Sequence, residues 1–225
     1  MTVALICAMP MELAPLVKKL GLKRVSKQRA TGDGVVALYT GMGTALATKS
    51  TEALLNDVPD IERVVVFGIT GAVESDTEIG ALIVPATVRN SETGEDFTPH
   101  DANGHTPKGI MWTTNVITPP HELPPLVAQG VVSLDMETAA IAKCCEARNI
   151  PWSVFRTVSD RPDSDITDEV FKLAHQDGSP NWANVVKFFL TKPYKIPAMM
   201  RLMQHGRLAT NNAADAAIAA LRNGG

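Results

Sequence analysis

Cysteines, long apolar runs and familiar catalytic motifs are all scarce in this 225-residue chain. Three cysteines argue against a disulfide framework, and the odd count suits a reducing, cytoplasmic compartment. Cys7 falls in the first apolar run and Cys144-Cys145 in a helical pattern, with no His or Cys at ligand spacing beside them, so core or helix-face roles are expected. No apolar run approaches the roughly 20 residues needed to cross a bilayer. The opening Met1-Thr-Val-Ala-Leu-Ile-Cys7 lacks the basic n-region of a secretory signal and reads as a strand. A net charge of −3 with no concentrated basic face argues against nucleic acid as the main partner. There is no Gly-x-Ser-x-Gly elbow, no His-Glu-x-x-His and no dinucleotide fingerprint. The five histidines, His100, His105, His121, His175 and His205, fall in loops or on helix faces. Neither a His-based triad, a metal site nor a cofactor is expected.

What is present is an ordinary globular composition, 45% apolar and 20% charged, arranged in alternation. Spacing predicts strands over 2–8, 34–40, 62–68, 79–88, 109–116, 131–134 and 152–158. Helical spacing covers 11–20 (closed by Gly21), 44–55, the stretch from the 131–134 strand to about 148, then 165–175, 182–190 and 196–221. Residues 90–108 are polar and without periodicity, and read as a surface loop. Repeated strand–helix alternation implies a three-layer αβα fold with a central mixed, largely parallel twisted sheet. Residues 1–190 are expected to form the catalytic domain. Residues 191–225 are expected to be a helical extension packing on that domain or on a partner subunit. The basic side of the extension, with Lys192, Lys195, Arg201 and Arg207, leaves membrane-surface contact as an alternative.

Five strand ends carry polar or glycine signals: Cys7–Glu12, Thr40-Gly-Met-Gly-Thr44, Gly68-Ile-Thr-Gly-Ala72, Asp135-Met-Glu137 and Ser159–Asp163. In an open α/β sheet, ligands bind in the crevice beyond the carboxyl ends of the strands. One such junction is uninformative, since Glu12 could merely favour a helix dipole and Asp135 or Asp160 merely cap a turn. Five together point to a crevice with at least three carboxylates. Glu12 is then a candidate general base and Asp160 a candidate acid. Glu137 is a candidate partner for a sugar diol, with Asp135 the helix cap beside it.

The order of these motifs resembles the nucleoside phosphorylase superfamily, and within it the 5′-methylthioadenosine/S-adenosylhomocysteine nucleosidases. The likeness rests on Ala8-Met-Pro-Met-Glu12, Thr40-Gly-Met-Gly43, Gly68-Ile-Thr-Gly71, Met136-Glu137-Thr-Ala-Ala and Arg156-Thr-Val-Ser-Asp160-Arg-Pro-Asp163, spread over about residues 2–190. The resemblance implies N-glycosidic bond cleavage of a purine nucleoside. Glu12 would activate water, and Asp160 would assist the leaving base. Glu137 would hold the ribose hydroxyls, with Met136 packed against the sugar and Met42 lining the 5′-substituent pocket. Met9, Gly71 and Ser159 would complete the substrate site, and the resemblance also implies a homodimer. Arginines that bind phosphate in the phosphorolytic members are absent from 8–12 and 64–72, which favours hydrolysis over phosphorolysis.

The chain departs from the pattern in several places. Ile69 stands where a hydroxylated residue is usual, and residues 90–108 are too short and polar to supply a helix the family inserts. No aromatic residue follows the 109–116 strand to stack on a base, although Asn115 is placed to read a base edge. These departures leave the substrate open. They also keep a non-catalytic nucleoside-binding protein, and a nucleosidase acting on a substrate with a greasy 5′-group, as alternatives.

Overall fold

The computed structural model describes residues 2–163, 173, 181, 184, 187 and 191–223. The elements in chain order are β1 (Thr2–Cys7), α1 (Pro10–Leu20), β2 (Lys23–Arg24), β3 (Arg29–Gly32), β4 (Val35–Tyr39), α2 (Thr44–Asp57) and β5 (Ile61–Ala72). Next come β6 (Leu82–Ile83), β7 (Thr87–Asn90), β8 (Asp96–Phe97), β9 (Ile110–Thr113), α3 (Leu123–Ala128) and β10 (Val131–Asp135). The last are α4 (Thr138–Glu146), β11 (Trp152–Asp160) and α5 (Ile196–Asn223).

All the strands join one mixed sheet. Parallel pairings run β4–β1–β5–β11 at its centre and β10–β9–β7 beyond, while β10 meets the far end of β5 antiparallel. Side chains alternate across a strand, and here both faces are covered. On one face Ala4, Ile6, Val64, Val66 and Val154 pack under α2 and α4, through Ala47, Leu54, Ala139 and Ile141. On the other, Leu5, Cys7, Val65, Phe67 and Phe155 pack under α1 and α5, through Leu13, Leu16, Ala213 and Ala217. This is the three-layer αβα arrangement. Small residues at 209, 213, 214, 217 and 220 let α5 lie close on the sheet, whereas Met200, Met203 and Leu208, nearer its start, are about half exposed.

The structure differs from the sequence reading in several places, among them β2 and β3, which no predicted strand covers. Gly68–Ala72 does not end the strand: β5 continues through it, because β11 on one side and β10 on the other satisfy its backbone. The 79–88 run splits into β6 and β7 around Pro85, which has no N–H to give a ladder. Residues 90–108 are not all loop, since β7 and β8 form a hairpin there with Arg89 and Asp96 paired at 2.6 Å and Phe97 buried. Residues 123–128, for which the spacing predicts no element, form α3. The expected helices at 165–175 and 182–190 lie almost wholly outside the described residues. Among the described residues no helix is long and apolar enough to cross a membrane.

Candidate active site

At the carboxyl edge of the central strands lies a cavity of about 500 Å³. Met9, Glu12, Met42, Gly71, Met136, Glu137, Ser159 and Asp160 all line it, so eight of the nine residues singled out in the sequence meet around one space. Its other wall is apolar and aliphatic, from Val116 and Ile117 through Pro119 and Pro120 to Leu123. Asn115 is the exception. It does not line the cavity, and its side chain is engaged by Thr44 and Glu92.

Glu12 occupies the third position of α1, where a glutamate reaches back to the cap residue. One carboxylate oxygen accepts the backbone N–H groups of Ala8 at 2.8 Å and Met9 at 2.7 Å. The other crosses to β5 and accepts the Ile69 N–H at 2.8 Å. The carboxylate is fully buried, and burial raises its pKa, opposed by Arg156 and those three N–H groups. The approach demands glycine at position 68. Its φ of +141° is unfavourable for other residues, and a Cβ there would overlap both Glu12 and Arg156.

Arg156 is the feature that sequence reasoning left without a role. Its guanidinium is buried in the cavity wall, with Asp135 at 2.7 Å, Glu137 at 3.5 Å and Glu12 at 3.9 Å. Asp135 also accepts the Thr113 hydroxyl at 2.6 Å and the Thr138 N–H at 2.9 Å, so it both caps α4 and anchors the arginine. Glu137 accepts the Gly43 N–H at 2.9 Å. Burial pushes the Glu137 carboxyl up to about 8, with Arg156 opposing and Asp135 reinforcing the rise. Asp160 is raised by burial and eased back by the Ser159 hydroxyl, which donates to it at 2.6 Å. Gly71 lets the Asp160 carboxylate approach β5, since a Cβ there would stand 3.1 Å from it.

A carboxyl whose folded pKa lies above its unfolded value binds a proton more tightly in the native state. Its contribution to stability is therefore largest at low pH and falls as pH rises toward the folded value. Glu137 sets a window from the ordinary carboxylate range to about 8. The thermal midpoint is expected to fall across that window, and Glu137→Gln is expected to shrink the fall. Equal slopes in the two proteins would show that Glu137 is not held protonated in the empty site.

Among the described residues no group of three or more His, Cys, Asp or Glu is arranged to hold a metal ion. The arrangement instead offers a carboxylate beside a space for water, a second carboxyl facing it across an arginine, and a third able to give a proton or hydrogen bond. These are the groups that cleavage through a cationic sugar requires.

Comparison with known proteins bears on the fold. The family model described as "Phosphorylase superfamily" matches residues 2–125 and 106–191. A 5′-methylthioadenosine/S-adenosylhomocysteine nucleosidase from Colwellia psychrerythraea, solved with adenine, is 20% identical, covering 99% of this chain and 95% of that one with a TM-score of 0.71. A mutant Helicobacter pylori nucleosidase with 5′-methylthioadenosine in its active site is 13% identical over 98% of both chains, TM-score 0.71. The futalosine hydrolase of Helicobacter pylori matches with the same identity and TM-score, over 98% of this chain and 97% of that one. At these identities the likeness is one of fold, and it extends into the C-terminal helix.

Proposed function

The chain belongs to the phosphorylase superfamily, and from that premise we propose that it is a nucleosidase, hydrolysing the N-glycosidic bond of a purine nucleoside with a modified 5′-position. The observation that carries this reading is the convergence of Glu12, Glu137 and Asp160 on one cavity at the sheet edge. Glycosidic cleavage passes through an oxocarbenium-like sugar, and an acid on the base side with a base for water opposite is what it needs. In this reading Asp160 gives a proton or hydrogen bond to the departing purine, and Ser159 orients it. Glu137 accepts the ribose hydroxyls. Glu12 takes the proton of the attacking water as the new C–O bond forms, and Met9, Met42 and Met136 pack against the sugar and its 5′-group. Nearby carboxylates also stabilise the cationic sugar.

Water rather than phosphate is the favoured nucleophile. Of the two arginines in the cavity wall, Arg156 is already held by three carboxylates, and Arg161 sits 3.2 Å from Asp163. The Glu12 carboxylate would also repel an anion. The same reading takes residues 1–190 as the catalytic domain with α5 packed on it, and a cytoplasmic homodimer as the working form.

The test is to incubate the protein with methylthioadenosine, S-adenosylhomocysteine, futalosine, adenosine and inosine, with and without phosphate, and to measure free base. Release of base at the same rate in both is the expected result. Phosphate-dependent release with a sugar 1-phosphate product would reassign the reaction to phosphorolysis. Binding without cleavage of any member would leave a nucleoside-binding protein and overturn catalysis.

A further inference from the structure

Helix α2 starts at Thr44, and the residue before it, Gly43, has φ 91° and no side chain to accept the helix's first N–H groups. That function is supplied from another part of the chain. Asn115, just beyond β9, accepts the Thr44 N–H at 2.9 Å through its side-chain oxygen, while its amide nitrogen donates to Glu92 on the β7–β8 turn at 2.9 Å and to the Thr44 hydroxyl at 2.7 Å. The amide orientation follows from its partners, because a backbone N–H requires the oxygen and the Glu92 carboxylate requires the nitrogen. The next N–H back along the chain, that of Gly43, points the other way and donates to Glu137. Among the described residues this is the one hydrogen bond made to the Glu137 side chain, Arg156 standing further off at 3.5 Å. The Gly41–Gly43 turn is thus gripped by Asn115 on its outer side and grips Glu137 on its inner side.

We propose that Asn115 is a positioning residue: by capping α2 in trans it holds the Gly43 N–H where it orients the Glu137 carboxyl toward the sugar hydroxyls. This replaces direct contact with the base as its role, and it rests on the nucleosidase reading for the identity of the sugar. The geometry makes a specific demand. Asn115 does not line the cavity, although Thr114, Val116 and Met42 do, so an effect that travels through Gly43 and Glu137 is distinguished by being felt at the 2′- and 3′-hydroxyls rather than at the base.

Two readouts test it. In Asn115→Ala, kcat/KM for a ribonucleoside is expected to fall roughly three- to thirtyfold, the range a lost helix cap covers. The value for the matching 2′-deoxynucleoside is expected to fall much less, so the ribose preference shrinks. Asn115→Asp in a Glu92→Gln background, which keeps an acceptor for Thr44 without setting two carboxylates face to face, is expected to recover most of the loss. The second readout is independent of catalysis. Amide hydrogen exchange at Gly43 in the free protein should quicken in Asn115→Ala and in Glu137→Ala alike, since each removes one of the two side chains that grip the turn. Unchanged Gly43 protection in Asn115→Ala overturns the proposal, as does an equal loss on the ribo- and deoxyribonucleosides. If the wild-type protein cleaves no nucleoside, the functional reading fails by itself, and the exchange measurement still decides whether Asn115 positions Glu137.

Discussion

Glu12→Gln is expected to lower kcat by about 100- to 10,000-fold, the contribution of a positioned general base. The geometry says how the rest of the protein should respond. All three backbone donors that meet this side chain need an acceptor, and both carboxylate oxygens are used. An amide offers only one. Whichever way it turns, its NH2 faces at least one backbone N–H, and the orientation that loses least turns the nitrogen toward Ile69. That unsatisfied donor should cost about 1–3 kcal/mol of stability, visible as a lower urea midpoint. Binding of an unreactive nucleoside analogue should change far less than kcat, which separates lost chemistry from a disturbed fold. The pH profile gives a further check. Burial holds the Glu12 carboxyl above the ordinary carboxylate range, so the wild-type rate should fall as pH drops through that raised value. The variant should show no such limb. A Glu12→Gln rate within about threefold of wild type would remove Glu12 from the mechanism and leave it a structural tie between β1, α1 and β5.

The fold was legible because the central strands are apolar at every position. Val64-Val-Val-Phe67 and Leu5-Ile-Cys7 have no polar face, which only a sheet covered on both sides tolerates. The candidate site was legible for a related reason: polar residues crowd the points where those strands stop. Short, half-exposed elements were not. Lys23–Arg24 and Arg29–Gly32 extend the edge of the sheet, and Asp96–Phe97 completes a hairpin, yet each is held by pairing to a neighbour that local sequence does not reveal. Gly68 and Gly71 read as marking a strand end, whereas their small size serves Glu12 and Asp160 within a continuing strand. Asn115 lies at the right strand end but faces α2, and only the fold shows which way it points. Arg156 did leave a signal. It is a lone cation inside Trp152–Asp160, a strand otherwise without charge until its final residue. Such an arginine must be paired when buried. Its partners, at 12, 135 and 137, are too distant in sequence for spacing to indicate.

Arg156→Met is expected to be the most damaging single change to the fold. Methionine fills a comparable volume but leaves Asp135, Glu137 and Glu12 buried together with no cation among them. Breaking a buried ion pair from one side costs about 3–5 kcal/mol, because the remaining charges keep their desolvation penalty. Glu12 and Glu137 have one escape, which is to take up protons. Removing the arginine takes away a group that holds the Glu12 and Glu137 values down, so both should rise further above their unfolded values. By linkage the native state of the variant then binds more protons than the unfolded chain over a wider range, and its stability falls more steeply as pH rises. The deficit relative to wild type should therefore be larger at pH 8 than at pH 5.5 in urea unfolding. Arg156→Lys should recover part of it, since an ammonium keeps the charge but lacks the planar fork that meets several carboxylates at once. A deficit that is the same at both pH values would mean the arginine contributes by packing alone. Such a result would also weaken the case that Glu12 and Glu137 are tuned as a pair, because Arg156, the cation between them, is what couples their charge states.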